Sequence, residues 1–274
     1  MKVTIRNDDG KLTTREYTQV ISTVSLGCLQ TIDTDKVTLS YSQREAIRTM
    51  NYDASTKIAI KFEKRWWQDP LVMGEGKTIK GGQSSTDLPI RVCVYPSYGI
   101  DCPNVPGVLL VSYTWAQDAR RLGSLAHGHG TASDKELLEL ALSDLEKLHN
   151  IPREKFGNVL DHHVHAWYND PYTRGAFAHF GPGQFGRAGD RTSLFAGLKA
   201  PAGNGKFHIA GEATSIHHGW ILGGLNSAWR AVFNVLTEYP ESKRDEFIKM
   251  YPIPDEEAPD ALYQLALLTK CGRL

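Results

Sequence analysis

The chain lacks most of the features that quickly assign a sequence to a class. No stretch approaches the ~18 uninterrupted apolar residues of a membrane-spanning helix, and Met1-Lys2-Val3-Thr4-Ile5-Arg6 lacks the apolar run of a signal peptide, so no membrane partner is expected. No charge of one sign dominates. Lysine plus arginine and aspartate plus glutamate number 31 each, leaving no net field to recruit nucleic acid or an anionic surface. Cysteine is sparse: Cys28, Cys93, Cys102 and Cys271 contain no CxxC pair, and a chain of this length does not need a disulfide framework to fold. Neither GxSxG nor a P-loop occurs, so serine hydrolase and nucleotidase chemistry lack their usual signatures. There is no internal repeat.

What is present is enough for a packed protein. The 274 residues are 41% hydrophobic, sufficient for one large domain or two ordinary ones. Val3 to Ile5, Asp8-Asp9-Gly10 and Leu12 to Tyr17 predict a β-hairpin, because Asp-Gly supplies the positive φ angles of tight turns. Val20 to Val24 predicts a third strand directly after it. The chain thus opens within a sheet, without the strand, glycine loop and helix that begin most nucleotide-binding domains, as a truncated domain would.

Ser42 to Met50 predicts a short helix. In Lys57 to Phe62 a period of two sets Ile58, Ile60 and Phe62 on one strand face and Lys57, Ala59 and Lys61 on the other. Ile90 to Tyr95 and Val108 to Tyr113 predict strands flanking a Pro/Gly-rich loop, while Lys77 to Leu88 reads as a polar connection. These strands suggest an antiparallel or mixed sheet. Ser133 with Glu136 reads as a capping box, and Leu137, Leu138, Ala141, Leu145 and Leu148 mark the apolar face of a helix ending near Asn150 and Pro152. Phe207 to Ala210 predicts a buried strand, and Gly219 to Thr237 a helix after it. Helical pieces around Asp245 to Met250 and Asp260 to Thr269 are divided by Pro252 and Pro254.

Two spacings invite a functional reading and fail it. Gly181-Pro182-Gly183-Gln184-Phe185-Gly186 has the GxGxxG spacing, but Arg187 to Arg191 does not continue as the amphipathic helix a dinucleotide fingerprint requires. Pro182 also removes an N–H group from a loop that would work by donating N–H groups to phosphate. His162, His163 and His165, beside Asp161, are metal-ligating residue types. On a strand, however, His163 and His165 share one face and His162 the other, with only His127 and His129 as further ligands. They read as polar strand residues, and no metal is expected.

Phe207 to Trp229 differs from both, because an apolar strand runs through Gly211 into the Glu212 carboxylate, and a short loop then enters a helix rich in small residues. Gly211, Gly219, Gly223 and Gly224 permit a backbone to approach a flat ligand, and the helix start near Trp220 offers free N–H groups with a positive dipole end. Glu212 can accept hydrogen bonds from ligand hydroxyls, and Trp220 can pack on a ring. A packed, glycine-tolerant helix is the alternative.

Phe207 to Ala228, with Ala210-Gly211-Glu212-Ala213-Thr214 and His218-Gly219-Trp220, resembles the C-terminal FAD motif of the flavin-dependent amine oxidases; the His-Gly-Trp version resembles their L-amino acid oxidase branch. Thr56-Lys57-Ile58, followed by Phe62 and Trp66-Trp67, is similar to the strand that carries the family's active-site lysine. Gly81 to Pro89 resembles a segment of the L-amino acid branch, and Val111-Ser112-Tyr113 the strand bearing its substrate-carboxylate tyrosine. The resemblance covers residues 17 to 237.

The resemblance implies a FAD cofactor held by Gly211, Glu212, Gly219, Trp220, Ile221 and Leu222, with Glu212 on the ribityl chain and Gly219 to Leu222 against the ring. It implies that Trp220 and Gly219 face the substrate amine, that Tyr113 donates to the substrate carboxylate and that Ala176 or Phe177 lines the side-chain pocket. It makes Lys57 the catalytic residue, holding a water near flavin N5. By position alone Lys57 is a solvated strand lysine. The family's N-terminal dinucleotide fingerprint is absent, as is the region supplying the arginine that pairs with the substrate carboxylate. A lone tyrosine hydroxyl anchors a carboxylate more weakly than a bidentate guanidinium.

The expectation is therefore an α/β chain, α+β mixed. It comprises a partial FAD-binding domain of the amine oxidase type (1–40 as a β-meander, 206–240 as its C-terminal strand and helix), a mixed-sheet substrate-binding domain at 41–205, and a helical tail at 241–274. The implied reaction is oxidative deamination of an L-amino acid by dioxygen to a 2-oxo acid, ammonia and hydrogen peroxide. The alternatives are a non-catalytic fragment or subunit that needs a partner chain carrying the dinucleotide-binding half, and an amine or polyamine oxidase. A homo-oligomer is left open.

Overall fold

A computed structural model describes residues 1–102, 105–182, 184 and 193–258. The expected helix at Asp260 to Thr269 and much of the GxGxxG spacing lie outside them. The chain divides into two compact units, one formed by Met1–Tyr52 with Pro171–Leu274 and the other by Asp53–Asp170. Among the described residues no helix is long and apolar enough to cross a membrane.

The first segment carries strands β1 (Lys2–Arg6), β2 (Leu12–Glu16) and β3 (Val20–Ser22), then helices α1 (Leu26–Leu29) and α2 (Tyr41–Thr49) and strand β4 (Asn51–Asp53). β1 and β2 form the expected antiparallel hairpin, Lys2 opposite Glu16 through Arg6 opposite Leu12, with Gly10 at φ +78° in its turn. β3 does not extend this hairpin into a meander. It pairs parallel with a strand 187 residues later, Val20 beside Phe207. A parallel partner cannot be read from local turn chemistry, because it needs a long crossover connection. α2 opens on a true capping box: Ser40 accepts from the Gln43 N–H while the Gln43 side chain accepts from the Ser40 N–H.

The middle segment carries β5 (Ser55–Phe62), α3 (Pro70–Met73), β6 (Gly82–Ser85), β7 (Val92–Tyr95), β8 (Gly107–Trp115), α4 (Ala116–Gly123), α5 (Ala132–His149) and β9 (Val159–Ala166). Its five strands run in the order β6-β7-β8-β5-β9, every pair antiparallel. The parallel β3–β11 pair lies in the other unit. β6 lies in the stretch expected to be a polar connection; Gly82, Gln83, Ser84 and Ser85 lack strand-forming side chains and are held by pairing with β7.

Ile58, Ile60 and Phe62 are fully buried, as the period of two predicts, and pack with Trp66, Trp67, Phe156 and the α5 residues Leu137, Ala141, Leu142 and Leu145. Each such side chain contributes on the order of 1.5–3 kcal/mol by leaving water. α5 ends as expected, with Asn150 in the left-handed conformation at φ 52°. Its start differs from the expected Ser133 box. Thr131 is the N-cap, accepting from the Asp134 N–H at 3.3 Å, and the Asp134 carboxylate reaches back to the Gly130 N–H at 2.7 Å. Ser133 lies inside the first turn, because two glycines before Thr131 let the chain enter the helix two residues earlier.

The last segment carries β10 (Phe177–His179), α6 (Leu194–Lys199), β11 (Phe207–Ile209), α7 (Ile221–Leu236) and α8 (Glu241–Met250). β10 pairs with β4, and β11 with β3. Leu26, Ala46, Ile47, Ala178, Leu198, Phe207 and Ile209 form one buried cluster. α2 and α6 thus pack beside β11, and the compact units do not divide at residues 41 and 205, where the substrate-binding domain was expected to begin and end.

Candidate functional site

β11 leads through Ala210, whose N–H donates to Ser22, into Gly211 at φ +128°, a backbone conformation that favours glycine. The Gly211 N–H donates to the Ser227 hydroxyl at 2.8 Å, tying the strand end to α7. Glu212 follows, and its carboxylate is the node of the site. Oε1 accepts from the Ala178 N–H at 2.8 Å and Oε2 from the Gly219 N–H at 3.0 Å, with His218 Nδ1 at 3.4 Å. One carboxylate therefore joins β10 to the loop that opens α7. Each oxygen keeps acceptor capacity for a further donor.

Several residues expected to act together are brought together here. A Cβ placed on Gly219, which sits at φ +73°, would lie 3.5 Å from the Phe177 ring, so the loop and the start of β10 are in contact. Ala176 immediately precedes that strand. Trp220 is the N-cap residue of α7, and no side chain caps the helix. Trp220, Ile221 and Leu222 are 72%, 84% and 50% exposed, an apolar run at the helix end that offers N–H groups and a positive dipole. His218, which the motif includes without a role, places Nδ1 toward Glu212 and buries Nε2 without a partner among the described residues.

The backbone crosses itself tightly at Gly223. A Cβ there would stand 2.3 Å from the His217 carbonyl oxygen, which no real structure tolerates. Gly223→Ala should therefore displace the loop at 215–220 while leaving helix content intact. The expected outcome is loss of bound cofactor with unchanged far-ultraviolet circular dichroism; full cofactor retention would show that the loop position is immaterial.

Behind the loop lies a buried ionic network that the sequence reading also missed. Arg230 donates to the Thr214 carbonyl at 2.8 Å, the Thr214 hydroxyl at 2.6 Å and Glu257 at 3.1 Å. Glu256 accepts from the Ser215 hydroxyl at 2.6 Å, the Ile216 N–H at 2.9 Å and Asn226 at 3.1 Å. Lys199 stands 2.9 Å from Glu257 and 3.5 Å from Glu256. Two cations and two carboxylates thus balance while fixing residues 214–216 against α7. A lone arginine on an apolar helix was the one available signal; the glutamates follow a Pro-rich tail with no readable pattern.

The second unit presents its own array on the sheet face away from α5. Lys57 is opposite Tyr113 in β8 and His165 in β9. Its ammonium lies 4.6 Å from the Tyr113 ring centre and 5.1 Å from that of Trp167. It is therefore a half-buried lysine against two aromatic faces, a favourable cation–π arrangement, and not a freely solvated one.

Residues 1–236 match the family described as flavin containing amine oxidoreductase. This chain belongs to that family. Its relatives include a putative bifunctional amine oxidase of Dictyostelium discoideum, 47% identical over 81% of this chain and 20% of that protein. It is also similar to L-amino-acid oxidase 4 of Hebeloma cylindrosporum, 43% identical over 86% of this chain and 37% of the relative. A third relative is the L-amino-acid oxidase of Siganus canaliculatus, 37% identical over 80% of this chain and 36% of the relative. The chain thus spans between a fifth and two fifths of these relatives' lengths. Among solved structures, cyclohexylamine oxidase from Brevibacterium oxydans is similar in fold, with a TM-score of 0.60 at 15% identity, over 87% of this chain and 46% of that one.

Membership implies a flavin, and the first unit fits one. Among the described residues, Cβ atoms on Gly211 and Gly224 would meet nothing within 4 Å, α7 is uncapped beside exposed Trp220 and Ile221, and His218 Nε2 lacks a partner. Open backbone, free N–H donors and apolar ring surface are what a flat, partly anionic ring requires.

Proposed function

We propose that this chain supplies the flavin-facing and substrate-facing residues of a FAD-dependent L-amino-acid oxidase. The carrying observation is the Glu212 node, which sets Phe177, Gly219 and the uncapped start of α7 about one carboxylate. The L-amino-acid oxidases among its relatives support the substrate class. Because the chain spans only part of those relatives, it is proposed to act with the remainder of the flavin site, carried on the same polypeptide or on a partner chain.

Bound FAD would supply the redox chemistry, acceptance of the substrate α-hydrogen with its electron pair and reoxidation by dioxygen to hydrogen peroxide. The chain's own groups orient and polarise. Glu212 keeps lone pairs for ribityl hydroxyls, and Gly211 and Gly219 let the backbone close on the cofactor. Trp220, Ile221 and Leu222 would hold its ring, and the helix end would stabilise negative charge there. Trp220 and Gly219 face the substrate amine, and Ala176 and Phe177 line its side chain. Within the second unit, Tyr113 is proposed to offer its hydroxyl to a substrate carboxylate, and Lys57 beside it to hold a water for proton movement. The imino product hydrolyses to a 2-oxo acid and ammonia.

The flavin-loaded protein should release peroxide from L-amino acids and not from primary amines or D-amino acids. Tyr113→Phe should raise KM for L-amino acids about tenfold or more, since one hydrogen bond to a charged group is worth about 1.5–3 kcal/mol. Peroxide from a primary amine, with none from any L-amino acid, would replace this reading with an amine or polyamine oxidase. A chain that never takes up flavin with any partner would leave it a non-catalytic fragment.

A further inference from the structure

We propose that His129, Asp134 and His162, all within the second unit, bind a zinc ion. Among the described residues they are the one group of three His, Cys, Asp or Glu side chains placed to hold a metal, one ligand atom from each lying within 4.8 Å of the others. His162 Nε2 is 2.9 Å from Asp134 Oδ2, and His129 Nδ1 is 3.9 Å from the same oxygen. The two imidazole rings are 4.8 Å apart.

Strand alternation brings this about. His162 sits opposite Ile60, on the face that α5 covers, whereas His163 sits opposite Ala59 and His165 opposite Lys57 on the other face. The alternation that parts His162 from its two neighbours delivers it to Asp134, in the first turn of α5. Two of the three ligands are preorganised: the Asp134 and His162 side chains are 5% and 10% exposed, and the Gly130 N–H fixes the Asp134 carboxylate at 2.7 Å. Such an outer hydrogen bond typically orients a metal-bound carboxylate. His129 is the adjustable arm, 67% exposed and flanked by Gly128 and Gly130 at positive φ. Tetrahedral zinc with ligands at ~2.0–2.2 Å spaces its donors roughly 3.3 Å apart, so His129 needs to move by about 1.5 Å.

Two imidazoles and one carboxylate match zinc and its borderline neighbours. Magnesium and calcium demand oxygen ligands. A water would complete the fourth position, and the ion would clip the loop at 124–131 to β9.

The test equilibrates metal-free, untagged full-length chain with Zn²⁺, separates free ion by gel filtration, and measures bound zinc and melting temperature. One zinc per chain is expected, with a raised melting temperature. His129→Ala removes an exposed ring, so the fold should persist. It should weaken zinc binding by at least the about tenfold that loss of a mere outer-shell partner costs, and abolish the thermal shift. His163→Ala, on the opposite face, should change neither. Undiminished zinc in His129→Ala, loss caused instead by His163→Ala, or failure of the chain to retain zinc would overturn the site and leave an ordinary His162–Asp134 hydrogen bond.

Discussion

Glu212→Ala is expected to abolish flavin retention and to lower stability by about 2–4 kcal/mol, because it removes two charge-assisted hydrogen bonds worth about 1.5–3 kcal/mol each, partly offset by water. The Ala178 and Gly219 N–H groups lose their acceptor together, so β10 and the loop entering α7 are released at the same moment. The measurement is flavin absorbance per protein after gel filtration, paired with thermal unfolding. Glu212→Gln provides a graded control. Its amide keeps one acceptor oxygen but turns an NH₂ group toward an N–H donor, so it should fall between wild type and alanine in both readings. If Glu212→Ala kept its flavin and lost only stability, the carboxylate would be a structural tie alone.

The second large effect concerns stability without contact to the site. Arg230→Met should destabilise the protein by about 3–5 kcal/mol, the cost of breaking a buried ion pair from one side. It strips donors from the Thr214 carbonyl and hydroxyl and from Glu257, and leaves two glutamates facing Lys199 alone. At roughly 2–4 °C per kcal/mol, the melting temperature should drop by about 6–20 °C. A drop within a degree or two would mean that water or Lys199 compensates fully.

The same network sets an acid limit. Burial by itself would raise the Glu256 carboxyl, but the Ser215 hydroxyl, Asn226, the Ile216 N–H and Lys199 outweigh it and hold the group below its ordinary range. A depressed carboxyl contributes stability that is present above about pH 4.5, the unfolded value, and is lost as pH falls through the folded one. Thermal unfolding between pH 7 and 3 should therefore show a decline that is shallower in Glu256→Gln, which is less stable at neutral pH; Asp118, Asp134 and Glu139, also held below their ordinary range, keep part of it.

Much of this was legible because it is local. Alternation in Lys57 to Phe62 marked the buried face, the Asp-Gly turn marked the hairpin, and the glycine-punctuated stretch from Phe207 to Ala228 marked the strand, loop and helix about Glu212. The helix cap at Thr131 and the strand at Gly82 to Ser85 were misread. The first depends on how two glycines deliver the chain to the helix, the second on a paired neighbour.

The sequence by itself determined family membership and the elements with strong period, since each rests on side-chain identity or spacing within some twenty residues. Only the tertiary structure decided that β3 lies parallel to β11, that Glu212 ties β10 to the α7 loop, and that Glu256 and Glu257 close on Arg230 and Lys199. It also decided that His162 meets Asp134 instead of His163. Each of these joins groups distant along the chain or sends adjacent ones to opposite faces, and such pairings are fixed by burial and register, which a linear pattern does not record.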